Sequence, residues 1–175
     1  MTEYVLVLPI RWSGDNNILL VLKDKPAWQK GRLNLVGGKV EPGETLPQAA
    51  VRELKEESGL TAMHDTDPDW GGPGLCGKIV GVDCVVYCFN CNVVTRDYHG
   101  KEIPLKPRDG ETEKVDWYQF WQIKDDPRLM PNLRVIIPLL FMDSRGWTII
   151  DQESSLGTIH GIVMQLEISK PFVNG

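Results

Sequence analysis

The sequence predicts an α+β fold or a three-layer sandwich, in a single domain over residues 1–175. Its length suits one domain with one hydrophobic core. Most of the apolar segments are short and bounded by Gly, Pro, Asn or Asp, which is typical of strands. These segments do not alternate regularly with helices, so the pattern favours strands surrounding a few helices over a repeated βαβ arrangement.

The predicted elements follow from local composition. Ser-Gly-Asp-Asn-Asn separates the first two apolar segments, and such a spacer is typical of a hairpin loop. The last two strands are predicted to form a C-terminal β-hairpin over about residues 147–168. The predicted strands cover residues 4–12, 18–23, 32–36, 78–82, 84–95, 114–122, 147–151 and 159–168. The predicted loops cover residues 26–30, 66–74, 97–112 and 125–132.

Two helices are predicted. Residues 45–58 begin with a capping box, in which Thr45 is the N-cap and Gln48 stands three residues later. Gly59 follows as a typical left-handed stop. Residues 133–142 predict a second, short apolar helix, although a proline lies near its middle.

Composition and charge exclude several classes of protein. The formal net charge of −5 argues against a broad surface for duplex DNA or an anionic membrane. An acidic protein still binds a small phosphate-bearing ligand when a metal bridges the two. No apolar run is long enough for a membrane span, and residues 1–10 lack the basic start of a secretory signal. We therefore expect a cytoplasmic protein with no membrane partner.

Four cysteines lie close together in the sequence. Cys88 and Cys91 form a CxxC pair, which invites a zinc or redox interpretation. Both lie in a predicted strand, where side chains alternate between faces, so the two thiols would point in opposite directions. The more economical prediction is reduced core cysteines without a metal. The four are Cys76, Cys84, Cys88 and Cys91.

The first predicted helix carries three glutamates on one arc of its surface. Glu53, Glu56 and Glu57 are spaced i, i+3 and i+4, so they repel one another. The helix dipole also disfavours negative charge near a C-terminus. A divalent cation would compensate them, and all-oxygen ligands favour magnesium or manganese over zinc. A neighbouring apolar stripe should pack on the sheet. It consists of Leu46, Ala50 and Leu54.

The segment before this helix suits a phosphate ligand. Gly37 and Gly38 are predicted to lie in a loop, where glycine permits unusual backbone conformations and a close approach to a ligand. Lys39 can reach a phosphate. Glu44 then turns the chain into the helix. Together these residues place carboxylates, a free carbonyl and basic side chains around one point.

Residues 38–60 match a longer pattern. Taken singly, its members have ordinary explanations; Arg52 and Glu56, for example, suit an i, i+4 surface ion pair. The whole pattern, Gly-x5-Glu-x7-Arg-Glu-Leu-x-Glu-Glu-x-Gly-Leu, fills every signature position of the Nudix box. In this segment the chain therefore resembles the Nudix hydrolase family. The resemblance implies an α/β/α sandwich around a mixed β-sheet, and metal-dependent hydrolysis of a nucleoside diphosphate linked to another group.

The resemblance also implies roles for individual residues. The implied metal ligands are the carbonyl of Gly38 and the side chains of Glu53, Glu56 and Glu57. Glu53 alternatively orients or deprotonates the attacking water. Arg52 resembles the arginine that positions a box carboxylate, and Glu44 resembles the loop glutamate that ligates metal or braces the loop. Several family members take the general base from a later loop, where Glu111 and Glu113 lie here; a solvated loop charge is the alternative for each.

A weaker resemblance points to the mutator-protein branch, whose members hydrolyse oxidised purine nucleoside triphosphates. Asn34 and Asn132 lie where that branch places base-contacting polar residues, and an amide offers a donor and an acceptor to a purine. Strand-edge capping of Asn34 and helix N-capping by Asn132 are the alternatives. Trp28 either stacks on a base or is a partly buried aromatic.

Three functions remain open at this level. The first is an Mg²⁺-dependent pyrophosphohydrolase, with Mn²⁺ as a substitute, that converts (deoxy)nucleoside triphosphates to the monophosphate and pyrophosphate in nucleotide-pool sanitation. The second is a pyrophosphatase for ADP-ribose or another nucleoside diphosphate derivative. The third is a non-catalytic Nudix ligand-sensing module, although the intact box argues against it. The expected partner is a small nucleotide, and homodimerisation is left open.

Overall fold

A computed structural model of the chain describes residues 1–11, 17–64, 72–106, 113–141, 146–151 and 162–165. The strands are β1 (Thr2–Arg11), β2 (Asn17–Leu22), β3 (Leu33–Asn34), β4 (Val36–Lys39), β5 (Thr61–Ala62), β6 (Gly74–Val80), β7 (Cys84–Val94), β8 (Lys114–Gln119), β9 (Trp147–Asp151) and β10 (Ile162–Gln165). The helices are α1 (Leu46–Ser58), α2 (Phe120–Ile123) and α3 (Leu133–Phe141). No helix in this part of the chain has the length and apolar character needed to cross a membrane.

These strands form one mixed sheet. Its main order is β10-β9-β6-β7-β1-β2-β3, with β4 paired to β1, β5 to β7 and β8 to β2. The pairs β1·β7 and β6·β9 are parallel, and the other pairs are antiparallel. Helices lie on both faces, with α1 against one apolar cluster and α3 against the other. The predicted α+β sandwich around a mixed sheet is therefore confirmed.

The pleat of the central strands separates the two apolar clusters. In β2, Leu19 and Val21 enter the cluster beneath α1, whereas Ile18 and Leu20 enter the cluster beneath α3. The predicted apolar stripe of α1 packs on the sheet as expected. Its members Ala50 and Leu54 are buried, and Leu46 is partly buried. This packing fixes the rotation of α1, and with it the direction of the three glutamates.

Helix α1 begins and ends where the sequence predicts. The backbone N–H of Gln48 donates to Thr45 Oγ1 at 3.4 Å, and the N–H of Thr45 donates to Gln48 Oε1 at 2.7 Å, so the capping box is complete. Gly59 ends the helix in the left-handed region with φ of 76°, and its N–H donates to the carbonyl of Lys55.

Several elements differ from the sequence prediction. The predicted strand over residues 32–36 is split into β3 and β4, because the first half pairs with β2 and the second half with β1. Gly37 and Gly38 therefore lie in a strand and not in a loop. The predicted strand over residues 114–122 ends three residues early, where Phe120 turns into the cluster beneath α3 and begins α2. The sequence prediction also omits β5.

The C-terminal strands β9 and β10 pair antiparallel, as the predicted hairpin requires. The rest of the second predicted strand, residues 159–161 and 166–168, lies outside the described residues. The four cysteines are buried and are not joined by disulfide bonds, in agreement with the predicted reduced cysteines. Cys88 and Cys91 enter opposite clusters, and burial raises the pKa of the Cys88 thiol, so the CxxC pair does not form a metal or redox site.

Candidate active site

Within residues 38–60, the Nudix box, the end of β4 packs directly against α1. A Cβ atom on Gly38 would collide with the carboxylate of Glu53, and a Cβ atom on Gly37 would collide with the main-chain oxygen of Val5. Neither glycine is among those with positive φ. Close approach, and not an unusual backbone conformation, therefore requires glycine here, which corrects the reason that the sequence suggested.

Arg52 links α1 to the loop between β4 and α1, which we call the box loop. Its guanidinium donates to both carboxylate oxygens of Glu44, at 3.0 and 2.7 Å, and to Glu53 Oε1 at 2.7 Å. It also donates to the carbonyl of Lys39 at 3.0 Å. The i, i+4 contact with Glu56 is longer, at 3.5 Å. Bidentate pairing is the geometry that a planar guanidinium favours, so the surface pair with Glu56 is a secondary contact of this residue.

Lys23 lies between two further carboxylates. Its Nζ stands 2.6 Å from Glu57 Oε1 and 2.8 Å from Glu113 Oε2, and the side chains of the three residues are 11%, 14% and 6% exposed, respectively. The N–H of Gly37 donates to the other oxygen of Glu57 at 3.1 Å. The N–H of Asp24 donates to the other oxygen of Glu113 at 3.2 Å. Glu113 thus lies beside the box glutamates, although it comes from a distant part of the sequence.

Burial dominates the electrostatics of the two inner glutamates. It raises the pKa of Glu57 to about 7, against the opposing attraction of Lys23. Burial likewise raises the pKa of Glu53, although the hydrogen bond from Arg52 counteracts it. In contrast, the hydrogen bond from Arg52 lowers the pKa of Glu44. A cation near Glu53 and Glu57 would stabilise the charged forms that burial disfavours.

The donor set fits a hard divalent cation. Carboxylate oxygens are the ligands that Mg²⁺ and Mn²⁺ prefer. Because Gly38 has no Cβ atom, its main chain lies directly against the Glu53 carboxylate. Among the described residues, these acidic side chains do not form a group of three or more whose geometry could hold a metal ion. Lys23 and Arg52 supply the compensating charge instead.

The hairpin formed by β2 and β3 carries a second part of the candidate site. Asn34 pairs with Val21 across the hairpin, and Val21 belongs to the cluster beneath α1, so Asn34 lies on the α1 face of the sheet. Lys23 follows two residues after Val21 and therefore projects to the same face. On its other side β3 is bridged to Leu129, which brings the segment that leads to Asn132 alongside.

The two asparagines use their amides differently. Asn34 Oδ1 accepts from the N–H of Leu35 at 2.9 Å, and Asn34 Nδ2 donates to Gln29 Oε1 at 3.0 Å. The first of these bonds is the strand-edge capping that the sequence offered as an alternative. The Oδ1 of Asn132 is buried without a hydrogen-bond partner in the described part of the chain. Only its main-chain carbonyl takes part in the start of α3, where it accepts from Ile136, so the N-capping alternative is not borne out.

The remaining predicted residues have less defined positions. Trp28 is 43% exposed, so it is not a core aromatic. The side chain of Lys39 is also exposed, beside the carbonyl that accepts from Arg52. Glu111 lies outside the described residues, so of the two later-loop glutamates only Glu113 is seen at the site.

Sequence reasoning missed Lys23 and Gln29. The signal for Lys23 was present, because the alternation of Leu19 and Val21 on one face of β2 continues to Lys23 and puts an ammonium group on the α1 face. For Gln29 the sequence gave no comparable signal. Its bond to Asn34 depends on the path of the turn between β2 and β3, which composition does not determine.

Comparison with known proteins agrees with this geometry. The NUDIX domain model matches residues 3–140. The oxidized purine nucleoside triphosphate hydrolase of Mus musculus is 47% identical over 126 residues, which cover 69% of this chain and 67% of that protein. The putative nudix hydrolase 1 of Caenorhabditis elegans is 29% identical over 115 residues, which cover 66% of this chain but 28% of that protein. The crystal structure of the MutT mutator protein from Bacillus halodurans superposes with a TM-score of 0.62 at 16% identity, covering 94% of this chain and 98% of that one.

The family match covers most of the chain, so the chain belongs to the Nudix family. Residues 3–140 form a domain of the pyrophosphohydrolase type, in a family that uses divalent cations. The predicted family and enzyme class are confirmed. The likeness to the MutT structure concerns the fold alone, and the chain spans only a minor part of the C. elegans relative.

Proposed function

We propose that this Nudix hydrolase converts a (deoxy)nucleoside triphosphate with a purine base to the monophosphate and pyrophosphate, with Mg²⁺ as cofactor and Mn²⁺ as a substitute. The observation that carries the proposal is the concentration of carboxylates against β4, two of them with a pKa raised by burial. Such a site suits a triphosphate bridged by a divalent cation. The named substrate of the mouse relative supports the substrate class and a role in nucleotide-pool sanitation.

The cation site in this proposal is formed by the box. The residues that would hold the cation are Gly38, through its carbonyl, and Glu53, Glu56 and Glu57, through their carboxylates. A cation bound there would supply positive charge to the phosphate oxygens and to the leaving group. Arg52 positions Glu53 and holds Glu44, which braces the loop. Lys39, exposed at the end of β4, contacts the phosphates.

The attacking water needs a proton acceptor, and two carboxylates qualify. Glu53 lies against Gly38, and Glu113 is held beside Glu57 by its bond to Lys23. Substituting each glutamate by glutamine separates the role of general base from the role of metal ligand. The variant that removes the general base lowers kcat and leaves metal affinity unchanged, whereas the variant that removes a metal ligand weakens metal binding. Glu111→Gln is measured in the same way, as a third variant.

The base of the nucleotide is placed at the β2–β3 hairpin. Asn132 supports this placement, because a buried acceptor without a partner is unfavourable by about 1–3 kcal/mol unless a ligand supplies a donor. Asn34 lies on the α1 face and offers the remaining hydrogen-bonding capacity of its amide. Trp28, half exposed in the adjoining turn, stacks on the base.

The test is a substrate panel with purified protein and Mg²⁺. The panel contains natural and oxidised nucleoside triphosphates, ADP-ribose, NADH and diadenosine polyphosphates, and the readouts are pyrophosphate and monophosphate release. Pyrophosphate from a purine triphosphate, abolished by EDTA and by Glu57→Gln, is the expected result. Release of AMP and a sugar phosphate from ADP-ribose would replace the proposed substrate class. Binding of a nucleotide without turnover of any substrate would point to a sensing module.

A further inference from the structure

The turn that joins β2 to β3 positions a second amide beside Asn34. Backbone hydrogen bonds close this turn, from Lys23 N to Arg32 O at 2.9 Å and from Gly31 N to Lys23 O at 2.8 Å. Within it the N–H of Gln29 donates to the carbonyl of Pro26 at 2.8 Å. The partly buried side chain of Gln29 is therefore attached to a well-defined backbone.

The orientation of both amides follows from their contacts. Asn34 Oδ1 accepts from a backbone N–H, so the other end of this amide is its nitrogen, which donates to Gln29 Oε1. The oxygen of Gln29 is thus directed at Asn34, and the Nε2 group is left with two N–H donors. Among the described residues, Gln29 Nε2 has no hydrogen-bond acceptor.

The pair consequently presents more donors than acceptors. Gln29 offers two N–H groups, and Asn34 Nδ2 retains one that does not contact Gln29. Such donors match the keto oxygen O6 of a guanine-type base, whereas the exocyclic amino group at the same position of an adenine-type base is itself a donor. The N7 atom accepts in both bases and does not distinguish them. Two donors that face each other disfavour that base, because both lose their hydrogen bonds to water without gaining a partner.

We infer that Gln29 is a specificity-determining residue that selects 6-oxopurine nucleotides over 6-aminopurine nucleotides. The inference rests on the proposed function for the location of the base, and it adds both the residue and the chemistry that it recognises. Lys23, on the same hairpin, contacts Glu57, so the hairpin that carries Gln29 and Asn34 also contacts a carboxylate of the proposed phosphate site.

Gln29→Glu is the decisive variant. Glutamate retains the oxygen that accepts from Asn34 but replaces the outward-facing donor with an acceptor. Gln29→Ala removes both groups, and Gln122→Glu makes the same chemical change at an exposed position of α2 as the matched control. Steady-state hydrolysis of dGTP and dATP with Mg²⁺ gives the ratio of kcat/KM for the two bases. Isothermal titration with GMP and AMP gives a readout that does not depend on turnover.

We expect wild type and Gln122→Glu to favour dGTP, and Gln29→Glu to reduce that preference by about tenfold, mainly through KM. Gln29→Ala should reduce it by a similar factor. An unchanged dGTP/dATP ratio in Gln29→Glu, with triphosphates still hydrolysed, overturns the inference and leaves the proposed function standing. An equal loss on both substrates assigns Gln29 a purely structural role and also overturns it. If wild type hydrolyses no triphosphate but binds GMP over AMP, and Gln29→Glu abolishes that difference, the proposed function fails and the inference stands.

Discussion

The phosphate end and the base end of the candidate site are built from different chemistry. At the phosphate end, full charges are paired: Arg52 with Glu44 and Glu53, and Lys23 with Glu57. At the base end, neutral amides are used, and one buried amide oxygen has no described partner. We therefore expect rate and selectivity to be carried by separate groups. Changes at the phosphate end should affect all substrates alike, whereas changes at the base end should alter the ratio between substrates.

The largest effect is expected at the phosphate end. Glu57→Gln should lower kcat for every hydrolysed substrate by about 10³-fold, because a buried charge that serves the reacting phosphates is lost. Steady-state rates over the substrate panel measure this. Glu41→Gln, an exposed glutamate in the box loop, is the matched control and should retain activity. A loss of only a few-fold, or a loss confined to one base, would contradict the separation of the two ends.

The adjacent glycines sharpen the comparison within the phosphate end. Gly38→Ala should lower kcat by about 100-fold with little loss of stability, because the collision displaces the flexible Glu53 carboxylate. Gly37→Ala collides with the main chain of β1 and should lower the free energy of unfolding by about 1–3 kcal/mol. Chemical denaturation and initial rates distinguish the two outcomes. Equal destabilisation by both variants would argue that Gly38 serves packing alone.

Lys23 tests whether charge compensation is shared between the protein and the cation. Without metal, Lys23→Met should lower the free energy of unfolding by about 1–3 kcal/mol, since Glu57 and Glu113 lose their ammonium partner. Saturating Mg²⁺ should then stabilise this variant more than it stabilises wild type. Lys30→Met, at an exposed lysine, is the control. Identical stabilisation by Mg²⁺ in all three proteins would show that Lys23 and the cation do not share these carboxylates.

The smallest effect is expected at the base end. Asn132→Leu should raise KM for the preferred purine triphosphate about tenfold, with kcat nearly unchanged. It should not destabilise the protein, because the replaced oxygen is buried without a described partner. Kinetics and thermal unfolding check the two parts. A clear loss of stability with unchanged KM would instead restore a helix-capping role for this residue.

The same contrast explains which features were predictable from the sequence. The phosphate end comes mostly from residues 38–60, where helical spacing alone groups Glu53, Glu56 and Glu57 and the caps define the helix. The mixed sheet was implied by the resemblance to the Nudix family. Regular periodicity likewise predicted most strands and the α+β class. These features are local, so a single segment contains the information that specifies them.

The features that were not predictable depend on contacts between distant segments. Glu113 reaches the site through the pairing of β8 with β2, and Gln29 meets Asn34 through the path of a turn. The split of residues 32–36 into two strands follows from a change of pairing partner, which composition does not record. Gly37 and Gly38 were predicted to be important, but their strand conformation emerges only from their contacts with β1 and α1.

We propose above that the glutamates of α1 hold the catalytic cation. Mn²⁺ titration followed by electron paramagnetic resonance of the free ion tests it most directly, with wild type, Glu57→Gln and Asn34→Ala compared in the absence of nucleotide. We expect equal Mn²⁺ affinity in wild type and Asn34→Ala, and affinity at least about tenfold weaker in Glu57→Gln. Unchanged Mn²⁺ affinity in Glu57→Gln would show that the cation binds elsewhere.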